Sequence, residues 1–236
     1  MPFHFGLLSE SGVELHSERI ELKKKSETFT VNNVESNPIP SWNRDFTAPV
    51  NIDYKYSIDQ LITIMASDTD EFNQYNATQD LYFNIILGLV SDLNSKRELK
   101  LDNSFVKGFG ELLINSKLDE AFKAYALSLP AQMDVNEKLK QFDYENVKDA
   151  INFVKNSLAS KYTNEFEALY NEMSDSSFDL DAKSMGRRSL KNTCLNYLAS
   201  GKCSRSFPLA ESQYNNATNM NDEISALKDI VHNYPD

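Results

Sequence analysis

Apolar and polar residues alternate over five short stretches at the start of the chain: Phe3-His4-Phe5-Gly6-Leu7-Leu8, Val13–His16, Arg19–Leu22, Glu27–Val31 and Val50–Tyr54. A period of two places one set of side chains on a core and the other in water, as half-buried strands require. Ser11-Gly12 and Asn32-Asn33 supply turn residues between them, so small antiparallel strands are predicted. Pro2, Pro38, Pro40 and Pro49 crowd this region, and only Pro130, Pro208 and Pro235 follow. Strands this few and short make part of a sandwich, and a half-sheet leaves edges and an apolar face uncovered. A truncated β-sandwich domain is expected over residues 1–55.

From Ser57 the apolar period lengthens to that of a helix. Ser57-Ile58-Asp59-Gln60 has the form of a capping box, and Ile58, Leu61, Ile62 and Met65 line one face. Similar stripes predict helices near 70–93, 103–115 and 119–128, and a long one over 143–173. Beyond an acidic linker, Ser174–Asp181, a helix near 182–199 is closed by Gly201, with glycine suited to the left-handed position, and a last helix starts near Asp222. Roughly eight helices joined by short polar loops, without a strict repeat, pack as antiparallel pairs in a bundle or superhelical array. The fold class expected is mostly α with a small β part. The helical domain covers 56–236 and is incomplete.

Composition adds exclusions. The 236 residues are 41% hydrophobic and 25% charged, which suits a soluble globular protein. The longest apolar run, Ile85–Val90, falls far short of the ~20 residues that cross a bilayer. The first residues lack the basic and apolar regions of a secretory signal. A cytoplasmic protein, or a piece cut from a longer one, is expected, with no membrane partner. The 24 basic side chains are outnumbered by 35 acidic ones, and a net charge of −11 opposes binding to nucleic acid. Cys194 and Cys203 lie nine residues apart, outside any C-x-x-C pattern, and are expected to be reduced.

No catalytic, cofactor-binding or metal-binding residue is assigned. Zinc peptidases place two histidines one helical turn apart around a glutamate base, H-E-x-x-H, and His4, His16 and His232 stand apart from any such pattern. Gly108-Phe109-Gly110 lacks the third glycine of a dinucleotide loop and is read as close helix packing. Asp68–Glu71 and Asp175–Asp181 lack the glycine and final glutamate of a calcium loop and are read as helix caps or solvated linker. Arg187 and Arg188, with Lys191, are predicted on the helix face opposite Leu190 and Cys194. There they pair with carboxylates of the scaffold or receive an anion.

Several segments carry a resemblance. Phe46-Thr-Ala-Pro-Val-Asn-Ile-Asp-Tyr-Lys-Tyr-Ser57 resembles the F-S-A-P-V-K-L-x-Y-x-Y-S stretch that ends the β-sandwich domain of the bacterial aminopeptidase N family, zinc metallopeptidases of the gluzincin type. Leu61 to Asp80 is similar to its L-x-F-L-M-x-H-D-x-D-x-F-x-R-W-x-A segment, with Gln74 and Tyr75 where Arg-Trp is usual. Gly186-Arg-Arg-Ser-Leu-Lys-Asn-Thr-Cys-Leu-Asn-Tyr-Leu-Ala199 resembles R-R-x-L-R-N-x-C-L-x-Y-L. Asn215–Asp222 resembles A-x-N-M-T-D, and Leu127–Pro130 resembles L-x-L-P.

The resemblance implies a cytosolic enzyme that removes N-terminal residues from peptides, with its zinc and H-E-x-x-H in a catalytic domain of the same chain that precedes this segment. None of that domain's motifs can be placed here, so this segment is expected to hold no metal and no activity, and to scaffold and enclose the active-site chamber. Whether Arg187 and Arg188 face that chamber is left open. Two other readings stand beside it. One is a stand-alone helical adaptor that binds a protein partner through an acidic concave surface. The other is that the acidic surface helps to steer basic peptides toward the chamber.

Overall fold

The structure, a computed structural model, describes residues 1–34, 37–174 and 178–235. Its β part is a three-stranded antiparallel sheet in the order β2-β1-β3, built from β1 (Pro2–Leu8), β2 (Glu14–Glu21) and β3 (Ile39–Trp42). Phe3, Phe5 and Leu7 alternate along β1 and gather Val31, Val34, Trp42 and Val50 into a small core. A register shift between Leu7 and Leu8 interrupts the alternation, and Leu8, with Ile39, joins the large core of the helices instead.

The sheet differs from the predicted one in three ways. Val13–His16 and Arg19–Leu22 are parts of one strand, β2, because the polar Ser17 and Glu18 pair with Gly6 and Phe5 and continue the ladder. β2 is an edge strand, where polar side chains can face water. Glu27–Val31 and Val50–Tyr54 form no strand: Val31 and Val50 pack on the small core from irregular chain, and neither segment joins the ladder. β3 was hidden by Pro40, which an edge strand accommodates because one of its sides needs no donor.

Among the described residues ten α-helices follow a short 3-10 turn at Arg44–Phe46. They are α1 (Ile58–Ser67), α2 (Glu71–Asn94), α3 (Asn103–Ile114), α4 (Glu120–Ala126), α5 (Gln132–Glu137), α6 (Tyr144–Lys161), α7 (Thr163–Glu172), α8 (Ala182–Gly201), α9 (Ser206–Asn216) and α10 (Met220–Asn233). The capping box of α1 is formed: the Ser57 hydroxyl accepts from the Gln60 amide at 3.2 Å, and the Gln60 side chain accepts from the Ser57 amide at 2.9 Å. Consecutive helices pair, as in α1/α2, α7/α8 and α9/α10, and α8 sits at the centre against α4, α6, α7, α9 and α10.

The helix predicted over 143–173 is two helices. Tyr162 leaves helical geometry between α6 and α7, and its hydroxyl donates to the Val106 carbonyl at 2.7 Å. The apolar stripe runs on through the break, which is why the period did not reveal it. The bend turns α7 onto α8, where Phe166 stacks on Tyr197 with ring centroids 4.5 Å apart. The short polar α5 and α9 went unread. Pro208 of α9 lies in the first turn, where its missing N–H costs nothing. Gly201 is the last helical residue of α8, packed near Ala159, and the left-handed position falls on Lys202 at φ 50°.

Candidate functional site

Two of the segments that carry the resemblance, Phe46–Ser57 and Leu61–Asp80, lie at the junction between the sheet and α1 and α2. Arg44 is only 3% exposed and bridges the two parts. Its guanidinium donates to the Ser41 hydroxyl and to Asp68, both at 2.9 Å, and to Glu14 of β2. Thr69 donates to the same Glu14 at 3.2 Å, and the Asp45 amide donates to Asp70 at 2.8 Å. Gly6 lies directly against the guanidinium: a Cβ there would stand 2.2 Å from Arg44 Cζ. The hydrogen bond from Arg44 holds the Glu14 carboxyl below its ordinary range, while burial pushes Asp68 up despite the same guanidinium. These groups knit the two parts together.

Beside this junction the chain exposes aromatic side chains. Phe46 and Phe72 meet at 5.1 Å, and Trp42 and Tyr54 at 6.0 Å, lining a cavity of about 370 Å³ floored by Asn73, Gln79 and Asp80. One turn along α2 from Phe72, Tyr75 stacks on Tyr125 of α4 at 4.5 Å. Gln74 and Tyr75, which replace the usual Arg-Trp, thus take separate roles: Gln74 is buried and donates to the Met65 carbonyl at 2.7 Å, and Tyr75 adds to the aromatic surface.

The remaining motifs are structural. Cys194 is buried on α8, where burial raises its thiol to about 12, and both cysteines are free. Asn192 and Lys191 donate to Asp222, which Asn219 also contacts while capping α10. Burial acts to raise Asp222, but these donors outweigh it and lower its pKa. Arg188 corrects the prediction of an outward face. It is 6% exposed, donates to the Asp179 carbonyl at 2.6 Å and lies over the Phe178 ring. Arg187 donates to the Glu172 carbonyl at 2.5 Å, and Lys191 forms the expected carboxylate pair.

His4 bonds Asp45 and Ser17, His16 bonds Glu18, and His232 bonds the Lys228 carbonyl. Gly108 and Gly110 allow close packing, against Ile62 and Met65 and against the Tyr162 hydroxyl. Asp70 caps α2 and Asp181 caps α8, whereas residues 175–177 of the acidic linker lie outside the described residues. Among the described residues no group of three or more His, Cys, Asp and Glu side chains could hold a metal ion. The described residues therefore do not fit a zinc centre. The junction cations and the polar residues between α6, α8 and α10 were missed, because tertiary contact alone brings them together.

Two family models and several relatives match the chain. Aminopeptidase N of Escherichia coli (strain K12) is 28% identical over 212 residues, which cover 90% of this chain and 24% of that protein. Aminopeptidase N of Haemophilus influenzae is 26% identical over 221 residues, 94% of this chain and 25% of that one. Aminopeptidase N of Caulobacter vibrioides is 27% identical over 232 residues, 96% and 26% respectively. A crystal structure of Legionella pneumophila aminopeptidase A in complex with aspartic acid superposes with a TM-score of 0.78 at 26% identity, over 96% of this chain and 27% of that one. The chain therefore spans about a quarter of the length of the curated relatives it matches. The model described as "Domain of unknown function (DUF3458) Ig-like fold" matches residues 1–55, and "Domain of unknown function (DUF3458_C) ARM repeats" matches residues 58–236. The chain belongs to this DUF3458 family, whose domains form the C-terminal part of aminopeptidase N enzymes.

Proposed function

We propose that this chain is a non-catalytic part of a zinc aminopeptidase that removes N-terminal amino acids from peptides, and that it scaffolds and encloses the active-site chamber. The observation that carries the reading is the match of nearly the whole chain to about a quarter of proteins named aminopeptidase N. Zinc belongs to the intact enzyme, and no step of hydrolysis is derived for the residues present. Residues 1–55 act as part of a β-sandwich domain and residues 56–236 as part of the helical superhelix. The Arg44 junction links the two.

The exposed aromatic surface of Phe46, Tyr54, Phe72, Tyr75 and Tyr125 supports the docking of further protein, and we assign it to the catalytic domain of the same polypeptide. The partners are that domain and, through it, peptide substrates; a cytoplasmic location without nucleic-acid binding completes the proposal. Among the described residues no helix is long and apolar enough to cross a membrane. Sequencing the DNA that flanks the coding region tests the reading. It is expected to show an open reading frame that encodes H-E-x-x-H upstream, and an in-frame stop before Met1 would contradict it.

A further inference from the structure

Where α6, α8 and α10 meet, beside the Ser128–Pro130 turn after α4, the helices leave a cavity of about 400 Å³. It adjoins a second of about 630 Å³ that shares Lys155, Asn196, Lys228 and Asp229 with it. Small-molecule sites have volumes of about 300–1,000 Å³. Asp229, on α10, is 2% exposed. Its Oδ1 accepts from Asn196, but Oδ2 is buried with no donor among the described residues. A buried acceptor left without a donor costs about 1–3 kcal/mol, and Asp229 is among the residues that line both cavities.

The complementary groups line the same space. Burial lowers the pKa of Lys155 of α6 against the attraction of Asp229, and neither it nor Lys228 makes an ion pair or side-chain hydrogen bond among the described residues. The Asp229 carboxylate and the two ammonium groups therefore attract one another across one cavity without a direct hydrogen bond or ion pair among the described residues. A simple anion would suit the lysines but be repelled by Asp229, and a simple amine would meet the reverse conflict. A ligand that carries both charges a few ångströms apart answers both. Leu129 and Ile151 complete the lining with an apolar wall.

We propose that this cavity binds a free α-amino acid as its zwitterion, the ligand's ammonium donating to Asp229 and its carboxylate accepting from Lys155 and Lys228, with an aliphatic side chain against Leu129 and Ile151. The inference concerns binding alone and does not rest on the enzymatic reading above.

Calorimetric titration of the 236-residue chain at pH 7.5 tests it. The pH lies above the value of about 6 to which burial lifts Asp229, so the carboxylate is ionised. L-leucine is expected to bind saturably, and N-acetyl-L-leucine, which lacks the ammonium, and 3-methylbutylamine, which lacks the carboxylate, at least tenfold more weakly. Asp229→Asn and Lys155→Met should each weaken L-leucine at least tenfold without changing the circular-dichroism spectrum. NMR of the unaltered chain supplies a readout independent of the variants: added L-leucine should shift the amides of Thr193, Asn196 and Ser225. Absence of saturable L-leucine binding, equal binding of either blocked analogue, undiminished binding by a folded Asp229→Asn chain, or shifts confined elsewhere would overturn the proposal.

Discussion

Two buried charges show how a single residue can set stability in opposite directions. Arg44 meets Asp68, whose side chain is fully buried, so removing the cation strands a carboxylate in the interior. Breaking a buried pair from one side costs about 3–5 kcal/mol. Arg44→Met is accordingly expected to lower the urea midpoint by an amount equivalent to about that figure, and a loss under ~1 kcal/mol would contradict the assigned role. Asp229 works the other way. Burial lifts it from 3.8 to about 6, against the pull of Asn196, Lys155, His232 and Lys228. The folded chain thus binds this proton more tightly than the unfolded chain does. Stability is undiminished below about pH 4 and falls as pH rises toward 6, by up to about 3 kcal/mol above it. Thermal melts should show Asp229→Asn nearly equal to the parent near pH 4 and several degrees more stable at pH 7. A pH-independent difference would contradict this. Asp222, held low by Lys191 and its amide partners, has the opposite sign: its contribution is present at neutral pH and disappears as acid protonates it.

At the scale of the element, helix glycines separate close packing from mere tolerance. Gly186 of α8 lies against the backbone of α4, where a Cβ would stand 2.9 Å from the Ala121 nitrogen. Backbone cannot swing aside, so Gly186→Ala should destabilise by about 1–3 kcal/mol through forced separation of the helices. Gly88 in α2 has nothing within 4 Å of that position. Gly88→Ala should therefore stabilise by about 0.5–1 kcal/mol through helix propensity. Denaturant midpoints of the two variants moving in the same direction would count against this account of α4 and α8.

The same scale explains what the sequence disclosed. The caps at Ser57, Asp70, Asp181 and Asn219 and the stripes of α1 to α4 were legible because they are local signals spaced along one helix. The break at Tyr162 was not, since the hydroxyl partner that holds it, the Val106 carbonyl, is far away in sequence. Strand assignment failed at Glu27–Val31 and Val50–Tyr54 because alternation marks a face to be buried and says nothing of whether the backbone joins a ladder: Val31 and Val50 pack on the small core from irregular chain. The cavity around Asp229 was illegible altogether. Its lining comes from α6, α8, α10 and the turn after α4, and Lys155, Asn196, Lys228 and Asp229 taken singly read as ordinary polar positions on a helix.

For the molecule as a whole, the match to about a quarter of each aminopeptidase N, the buried junction between sheet and helices, and the aromatic surface beside it support the proposed architectural role. Docking of a catalytic domain on that surface would bury Phe46, Phe72 and Tyr125, all exposed in this chain. Chamber-forming and catalytic roles would then be divided between separate parts of one polypeptide. Hydrolysis of L-alanyl-p-nitroanilide by the purified 236-residue chain, with zinc and again after chelation, tests that division most directly. The account predicts no turnover above a protein-free blank in either condition, whereas turnover that co-purifies with the chain and vanishes with the chelator would contradict it.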